Sequence, residues 1–348
     1  MRYPDFLKDG GRIGFIAPSF GCATEPYKSL FAAAQERFKG MGYGIVLGPN
    51  ACADAGIGKS NTPELCGAEI NDFFLNDRSD AIISCGGGET MCEDLPFVDF
   101  DAMSKAVPKW FIGYSDNTNL TFTLPVLADT AAIYGPCVSD FGMGELHPSL
   151  NDAFGVMCGK VSEVHNYDKW EKEQLKSEEN PFATYNVAED FKLRAFMGPN
   201  EITASVGACK VQGRLIGGCL DCLANLVGTP FDRVSDFAAR YADDGILWFM
   251  EACDLNVMSI RRALWNLDQA GWFEHASGFL IGRPLQYDDA WGDFDRIAAV
   301  VGMLGKYNVP IILDLDIGHL PPMMPIVSGA LGSATVEGNS FKMQYEFK

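Results

Sequence analysis

The sequence predicts an α/β protein with a Rossmann-like parallel-sheet N-terminal domain and a second, β-rich α/β C-terminal domain. Its 348 residues exceed twice the soft prior of about 150 residues per domain. The first half alternates short apolar runs with helix-period segments, which is typical of parallel strands joined by crossover helices. The last part is rich in short apolar strands. We predict a domain over residues 1–165, a polar linker region over 166–202 and a domain over 203–348.

The composition is that of a folded globular chain, with 47% hydrophobic and 21% charged residues. No apolar run reaches the roughly 18 residues of a membrane span, and the start of the chain shows no secretory signal. We therefore expect a cytoplasmic protein with no membrane partner. Lys plus Arg number 27 against 46 Asp plus Glu, and this excess of negative charge argues against nucleic-acid binding. The 11 cysteines suit reduced, mostly buried thiols better than a disulfide framework.

The N-terminal elements follow in order. Residues 12–18 predict a buried strand that ends in a turn, and residues 45–47 predict the next strand. The helix between them should carry apolar residues on one face, namely Leu30, Ala34, Phe38 and Met41. Thr62, Pro63 and Glu64 supply an N-cap, a first-turn proline and an early carboxylate for a second helix. Its predicted inward residues are Leu65, Ile70, Phe73 and Phe74.

Two loops of this domain leave the carboxyl ends of predicted strands. The strand at 81–84 runs into Cys85–Glu89, and the strand at 110–112 runs into Gly113–Thr118. In parallel α/β sheets such loops meet in one crevice, where ligands bind. We therefore expect the two loops to be neighbours.

The C-terminal domain should contain both element types. Regular secondary structure is predicted to resume at Ala208 and to continue to Ile216. Helices are predicted at 219–227, 255–269 and 294–304. Further strands are predicted at 246–250, 278–281, 311–313, 334–337 and 341–345.

The sequence contains only four histidines, which are His147, His165, His275 and His319. A hydrolase without a metal usually needs a histidine as its base near neutral pH. His319 follows a buried strand, where a rigid backbone holds the imidazole toward a crevice. The alternative is a structural histidine with its hydrogen bonds satisfied.

Ser115 lies in a sharp turn between a predicted strand and a helix that begins near Asn117. Such a turn is similar to a nucleophile elbow, although Gly-x-Ser-x-Asn is not the usual signature. The N–H of Asp116 would then face a developing oxyanion. The alternative is that the serine or the aspartate caps the helix.

Glu251 ends the apolar run 245–251, where a carboxylate is costly unless it is paired. A histidine partner would explain it, and a helix-capping or surface acid is the alternative.

The loop Cys85–Glu89 has three successive glycines, which expose amides that bind a phosphate or an oxyanion. It matches no phosphate-binding motif. Cys219 and Cys222 form a lone Cys-x-x-Cys without a second ligand pair, so a packed helix edge is favoured over a zinc site. We expect no cofactor and no metal.

Several segments together make the chain similar to the S66 serine peptidase family, which comprises the LD-carboxypeptidases and the microcin C immunity proteins. The similar segments occur in the same order across nearly the whole chain. They are residues 13–19, 71–88, 111–118, 213–218, 246–251 with 260–262, and 318–319.

The resemblance implies that Ser115 is the nucleophile, that His319 is the general base and acid, and that Glu251 orients the imidazole. It also implies an oxyanion hole from the amides of Gly87 and Asp116, and an active site between the two domains. Family members are commonly homodimers and act on small peptide or peptide-nucleotide-like substrates.

Three segments depart from the LD-carboxypeptidase pattern. Cys85–Glu89 replaces Arg-Gly-Gly-Tyr-Gly, Gly217–Leu220 reads Gly-Gly-Cys-Leu instead of Gly-Gly-Asn-Leu, and Leu-Pro-Pro follows His319 instead of Thr-Asp-Pro. Tyr134–Pro136 with Ser139–Phe141 is more similar to the microcin-immunity branch. These departures leave a second hypothesis, a catalytically silent protein that binds a peptide or nucleotide on the same fold. A nucleotide-dependent oxidoreductase is a third.

Overall fold

The structure is a computed structural model that describes residues 1–56, 58–202 and 209–347. The chain forms two compact units. The first comprises Met1–Val161 with Glu173–Asn186, and the second comprises Ser162–Lys172 with Val187–Lys348.

The first unit contains a parallel sheet of five short strands in the order β5-β4-β3-β1-β2, and all of them except the edge strand β2 are largely buried. Their bounds are β1 Arg12–Ile16, β2 Gly44–Leu47, β3 Ala81–Ser84, β4 Trp110–Gly113 and β5 Ala132–Tyr134. Strand order is not chain order, because β1 lies between β2 and β3. The predicted parallel sheet of the N-terminal part is confirmed.

Six α-helices accompany this sheet in the described residues. They are α1 Tyr27–Gly40, α2 Pro63–Leu75, α3 Phe100–Met103, α4 Thr118–Thr121, α5 Thr123–Ala128 and α6 Pro148–Met157. Two predicted inward residues are instead exposed, Met41 at 49% and Leu65 at 52%. Met41 lies beyond the end of α1, and Leu65 lies about 100° around α2 from the buried Cys66. The other predicted inward residues of both helices are buried.

The second unit is built on a nine-stranded mixed sheet in the order β10-β9-β16-β13-β12-β11-β18-β19-β6. The four strands β16-β13-β12-β11 are parallel, and the outer pairings are antiparallel. The bounds are β6 Glu163–His165, β7 Lys169–Glu171, β8 Val187–Asp190, β9 Arg194–Met197, β10 Asn200–Glu201, β11 Cys209–Cys219, β12 Ile246–Glu251, β13 Ala276–Gly282, β14 Ala290–Trp291, β15 Phe294–Asp295, β16 Pro310–Leu315, β17 Ile326–Ser328, β18 Leu331–Glu337 and β19 Ser340–Glu346. β7 pairs with β8, and β14 pairs with β15.

The described helices of the second unit are α7 Leu220–Leu226, α8 Val234–Arg240, α9 Val257–Gln269 and α10 Arg296–Leu304. Two of them begin two residues later than predicted, because Asn256 and Asp295 cap them by accepting from Ser259 N and Ala298 N. The predicted start of structure at Ala208 lies outside the described residues. The β-rich, mixed α/β character expected of this half is confirmed.

The segment predicted as a linker, residues 166–202, is shared between the two units. Within the first unit, Gly144 N donates to Phe182 O at 3.0 Å, and the rings of His147 and Tyr185 lie 5.6 Å apart. Within the second unit, Trp170 is only 4% exposed. Isolated aromatic residues therefore anchor a segment whose average composition is polar.

No helix in the described part of the chain is long and apolar enough to cross a membrane. All 11 cysteines are free thiols in the structure.

Candidate active site

Ser115 stands at the turn that follows β4. Its φ of +63° places a non-glycine residue in the left-handed region, which is uncommon and occurs at sharp functional turns. Its backbone N–H donates to Tyr134 Oη at 3.2 Å. A short 3₁₀ helix, Ser115–Asn117, leads from this turn into α4. The strand-turn-helix geometry resembles that of a nucleophile elbow.

The glycine loop lies beside this turn, because β3 pairs with β4. A Cβ placed on Gly87 would lie 3.1 Å from Ser115 Cβ and 3.2 Å from its Oγ. Asn117 Nδ2 donates to Gly86 O at 2.8 Å and to Tyr114 O at 3.0 Å, and so joins the two loops. The prediction that these loops are neighbours is confirmed.

The carboxylate of Asp116 is buried beneath the turn. It accepts hydrogen bonds from Ser19 Oγ at 2.5 Å, Met91 N at 2.9 Å and Asn119 Nδ2 at 3.0 Å. Burial raises the pKa of Asp116, and the bonds from Ser19 and Met91 oppose that rise. No side-chain capping bond is found for the 3₁₀ helix or for α4. The carboxylate thus holds neighbouring segments together rather than capping the helix.

In the second unit, Glu251 and His319 form a hydrogen-bonded pair. Glu251 is the last residue of β12 and is 2% exposed. His319 lies in the loop after β16, and its Nδ1 lies 2.9 Å from Glu251 Oε2. With the proton on Nδ1, the imidazole donates to the carboxylate, and Nε2 is then the unprotonated ring nitrogen.

The pair stabilises the charged form of the histidine. Burial lowers the pKa of His319, but the charge of Glu251 and the side-chain contacts with Cys253 and Glu251 raise it well above 6.5. A buried carboxylate beside the ring favours the imidazolium. The alternative function of Glu251 as a cap or surface acid is wrong, because Asn256 caps α9 and Glu251 is buried.

The surrounding backbone is shaped to hold this pair. Gly318 has φ +102°, and a Cβ there would lie 2.5 Å from Glu251 Oε2, so only glycine fits without displacing the carboxylate. Asp221 accepts from Cys253 N at 3.0 Å and from Asp254 N at 2.9 Å, which fixes the chain just after Glu251.

The other singled-out residues have different environments. His147 caps α6 by accepting from Ser149 N, and His165 is exposed beside Asn166 O. Cys219 is buried where β11 ends, opposite Glu251 in the parallel register. Across the described ranges, no group of three or more His, Cys, Asp or Glu side chains is arranged to hold a metal ion.

Sequence reasoning missed several supporting residues. Ser19, Tyr134 and Asp221 contact the candidate residues or the turns that carry them, and Asn117 joins the two loops of the first unit. Most of these contacts join positions 19 to 97 residues apart, so no local pattern marks them.

Known proteins share this architecture. A curated Vibrio cholerae protein named as a carboxypeptidase is similar at 26% identity over 99% of this chain and 98% of its own. The microcin C7 self-immunity protein MccF of Escherichia coli is similar at 27% identity, over 93% of this chain and 90% of that protein.

Solved structures are similar over the whole chain. An MccF-like protein from Bacillus anthracis has a TM-score of 0.81 at 19% identity, covering 99% of this chain and 100% of that one. MccF in complex with glutamyl sulfamoyl guanosine has a TM-score of 0.77 at 23% identity, covering 99% and 98%.

Family models match both halves of the chain. The LD-carboxypeptidase N-terminal domain matches residues 13–135, and the LD-carboxypeptidase C-terminal domain matches residues 212–333. Together they span more than half of the sequence and include all the candidate residues. The chain belongs to the S66 peptidase family, that of the LD-carboxypeptidases and MccF.

Proposed function

We propose that this protein is a serine-type carboxypeptidase or amide hydrolase that acts through Ser115, His319 and Glu251. Ser115 Oγ attacks the amide carbonyl while His319 Nε2 accepts its proton. His319 then protonates the leaving amine. Water next attacks the acyl-enzyme as His319 accepts its proton, and His319 returns that proton to Ser115 Oγ as the carboxylic acid leaves. Glu251 holds the imidazole orientation and stabilises its cation.

The single observation that carries the proposal is the 2.9 Å bond between His319 Nδ1 and Glu251 Oε2. A buried carboxylate is costly without a partner, and here its partner is a histidine, the side chain that most often serves as a general base near neutral pH. The left-handed backbone of Ser115 supports the same reading from the first unit, because strain at a single serine turn is expected of a nucleophile.

We assign the oxyanion hole to the backbone amides of Gly87 and Asp116. The absence of a side chain at Gly87 leaves space 3.1–3.2 Å from Ser115, where the substrate carbonyl would lie. The Asp116 carboxylate is turned inward to Ser19 and Met91, so its amide is the part of the residue suited to this function.

We propose a small peptide or peptide-like amide as the substrate. One curated relative, from Bacillus subtilis, is named a murein peptide carboxypeptidase, and MccF has been solved with glutamyl sulfamoyl guanosine. Both names indicate a small substrate with an amino-acid or acyl portion. We favour the microcin-immunity branch, since Tyr134–Pro136 with Ser139–Phe141 is more similar to that branch. Cys85–Glu89 and Gly217–Leu220 also depart from the LD-carboxypeptidase pattern.

The mechanism is tested with a serine-directed phosphonate and mass spectrometry. Ser115 should carry the label, and Ser115→Ala and His319→Ala should each lose at least about 1000-fold in kcat, because triad members act as a unit. Ser162→Ala and His165→Ala are matched controls in exposed positions. Full activity in Ser115→Ala, or loss of activity to a chelator, would refute the mechanism. Tight ligand binding without label or product would favour the silent binding protein.

The substrate is tested by offering murein tetrapeptide and, separately, an aminoacyl-sulfamoyl nucleoside. Release of D-Ala identifies the first class, and release of a free amino acid identifies the second.

Two further expectations from the family resemblance stay predictions. Analytical ultracentrifugation tests the homodimer, and cell fractionation tests the cytoplasmic location. We propose no metal or organic cofactor for the reaction.

A further inference from the structure

The loop that carries His319 encloses a buried guanidinium. Arg283 directly follows β13 and is 1% exposed. Its Nη1 donates to Asp314 O at 3.0 Å, and its Nη2 donates to the Asp316 carboxylate and to Leu320 O, the latter at 3.4 Å. These acceptors lie on both sides of His319 in the chain, so one side chain joins the end of β16 to two points of the loop.

The same guanidinium is enclosed by aromatic rings. It lies 4.8 Å from the ring centroid of Trp170 and 5.9 Å from that of Phe191. The other oxygen of Asp316, Oδ2, accepts from Tyr167 N at 2.8 Å. The loop is thus anchored to the segments that carry these rings. The planar guanidinium of arginine has several N–H donors in a fixed arrangement and can hold these acceptors together. A lysine ammonium group cannot reproduce that arrangement.

The end of β16, which leads into the loop, is itself unusual. Asp314 has φ +64°, and its carboxylate is held in two bonds by Arg296, at 2.8 Å to Nε and 2.7 Å to Nη2. A non-glycine residue in this region persists only where the surroundings impose it. The backbone conformation that leads to His319 is therefore imposed by side-chain contacts and not by the intrinsic conformational preference of Asp314.

We propose that Arg283 and Asp316 are positioning residues that fix the His319 loop so that the imidazole stays aligned with Glu251. This inference rests on the proposed function for its catalytic meaning, but its structural content concerns the His319–Glu251 pair alone. Glu251 and Cys253 are titratable groups that face His319 within its unit.

The test replaces the ion pair as a unit with Arg283→Met/Asp316→Leu, which leaves no buried charge unpaired. Side-chain NMR follows the titration of His319, assigned with His319→Ala, and needs no substrate. We expect the pKa of His319 to fall toward 6.5 and kcat to fall at least tenfold with little change in KM. Arg283→Lys keeps the charge but not the three contacts, so it should show a smaller shift in the same direction.

The matched control is Arg214→Met/Asp244→Leu. Arg214 also pairs with a carboxylate, donates to a carbonyl (Gly329 O, 3.1 Å) and lies over an aromatic ring (Tyr241, 4.4 Å), but it adjoins the start of β12 and not its end.

The control should leave the His319 titration unchanged. An unchanged titration in both Arg283 variants would overturn the inference even if the protein is active. If the wild type hydrolyses no amide, the proposed function fails, but the titration still decides the inference. If the double variant does not fold, Arg283→Lys decides it by the same measurement.

Discussion

Replacing Gly318 by alanine should damage the proposed active site through a single added carbon. The new Cβ would lie 2.5 Å from Glu251 Oε2 and 2.6 Å from its Cδ and Cγ. Ordinary contact distances begin at about 3.5 Å, so the carboxylate must move by roughly 1 Å. His319 Nδ1 now lies 2.9 Å from that oxygen. A further ~1 Å takes the pair beyond hydrogen-bond distance.

Two effects of this change differ in size and in the property that reports them. The φ of +102° is unfavourable for alanine and costs roughly 1–3 kcal/mol of stability. Displacing a catalytic group by about 1 Å costs on the order of 100-fold in rate. We therefore expect Gly318→Ala to lose about 100-fold in kcat/KM. The pKa of His319 should also fall toward 6.5, since its carboxylate partner is displaced.

The assay combines steady-state kinetics, thermal unfolding and the NMR titration of His319. Gly338→Ala is the matched control, because Gly338 also has a positive φ, +60°, but has open space where a Cβ would be. It should report the backbone cost alone and leave kinetics unchanged. If Gly318→Ala retains full activity and an unchanged His319 titration, the assignment of Glu251 as the histidine's partner is refuted.

Three other predictions concern the pair, the glycine loop and the core. Activity requires neutral His319 and is lost as pH falls through its raised pKa, so Glu251→Gln should move the acid limb of log(kcat/KM) downward; an unmoved limb with full activity would contradict the pairing. Gly87→Ala should lower kcat at least tenfold with little change in Tm, because its Cβ would crowd Ser115 Oγ at 3.2 Å; unchanged kcat would exclude Gly87 from the oxyanion hole. Phe273→Ala should lower the free energy of unfolding by about 3–5 kcal/mol, measured in urea, and a loss below about 1 kcal/mol would show that the ring cluster around Phe273 repacks.

Much of the fold was predictable because the spacing of apolar residues along the sequence indicates which residues are buried. The strands of the first unit are short. β4 has no polar side chain, and β3 and β1 have one each, at a strand end. Errors fell at element ends, where the pattern is weakest: Leu65 lies in the first turn of α2, and Met41 lies just beyond α1. The structure of segment 166–202 was harder to predict, because its average composition is polar although a few aromatic residues, such as Trp170, are buried.

The candidate residues were predictable for a different reason. Ser115, Glu251 and His319 each follow or end an apolar strand, so a polar side chain there is conspicuous in the sequence. The residues that hold these candidate residues in position are not conspicuous in the sequence. Arg283 reads as an ordinary charged residue after a strand, and only the fold shows that it is buried against Asp316, 33 positions away. Local sequence pattern therefore identifies candidate catalytic residues. The long-range contacts that hold those residues in position can be identified only from the structure.

Glu251 has two opposing effects on the proposed reaction. By favouring the imidazolium it stabilises the state reached when Ser115 loses its proton, which speeds attack. By raising the pKa of His319 it also reduces the fraction of protein whose histidine is free to act as a base at neutral pH. Burial of the ring opposes that rise, because it disfavours the charged imidazole. Removing the carboxylate therefore widens the pH range over which the base is available while lowering the limiting rate at pH values above the acid limb. That combination distinguishes an orienting carboxylate from a merely structural one.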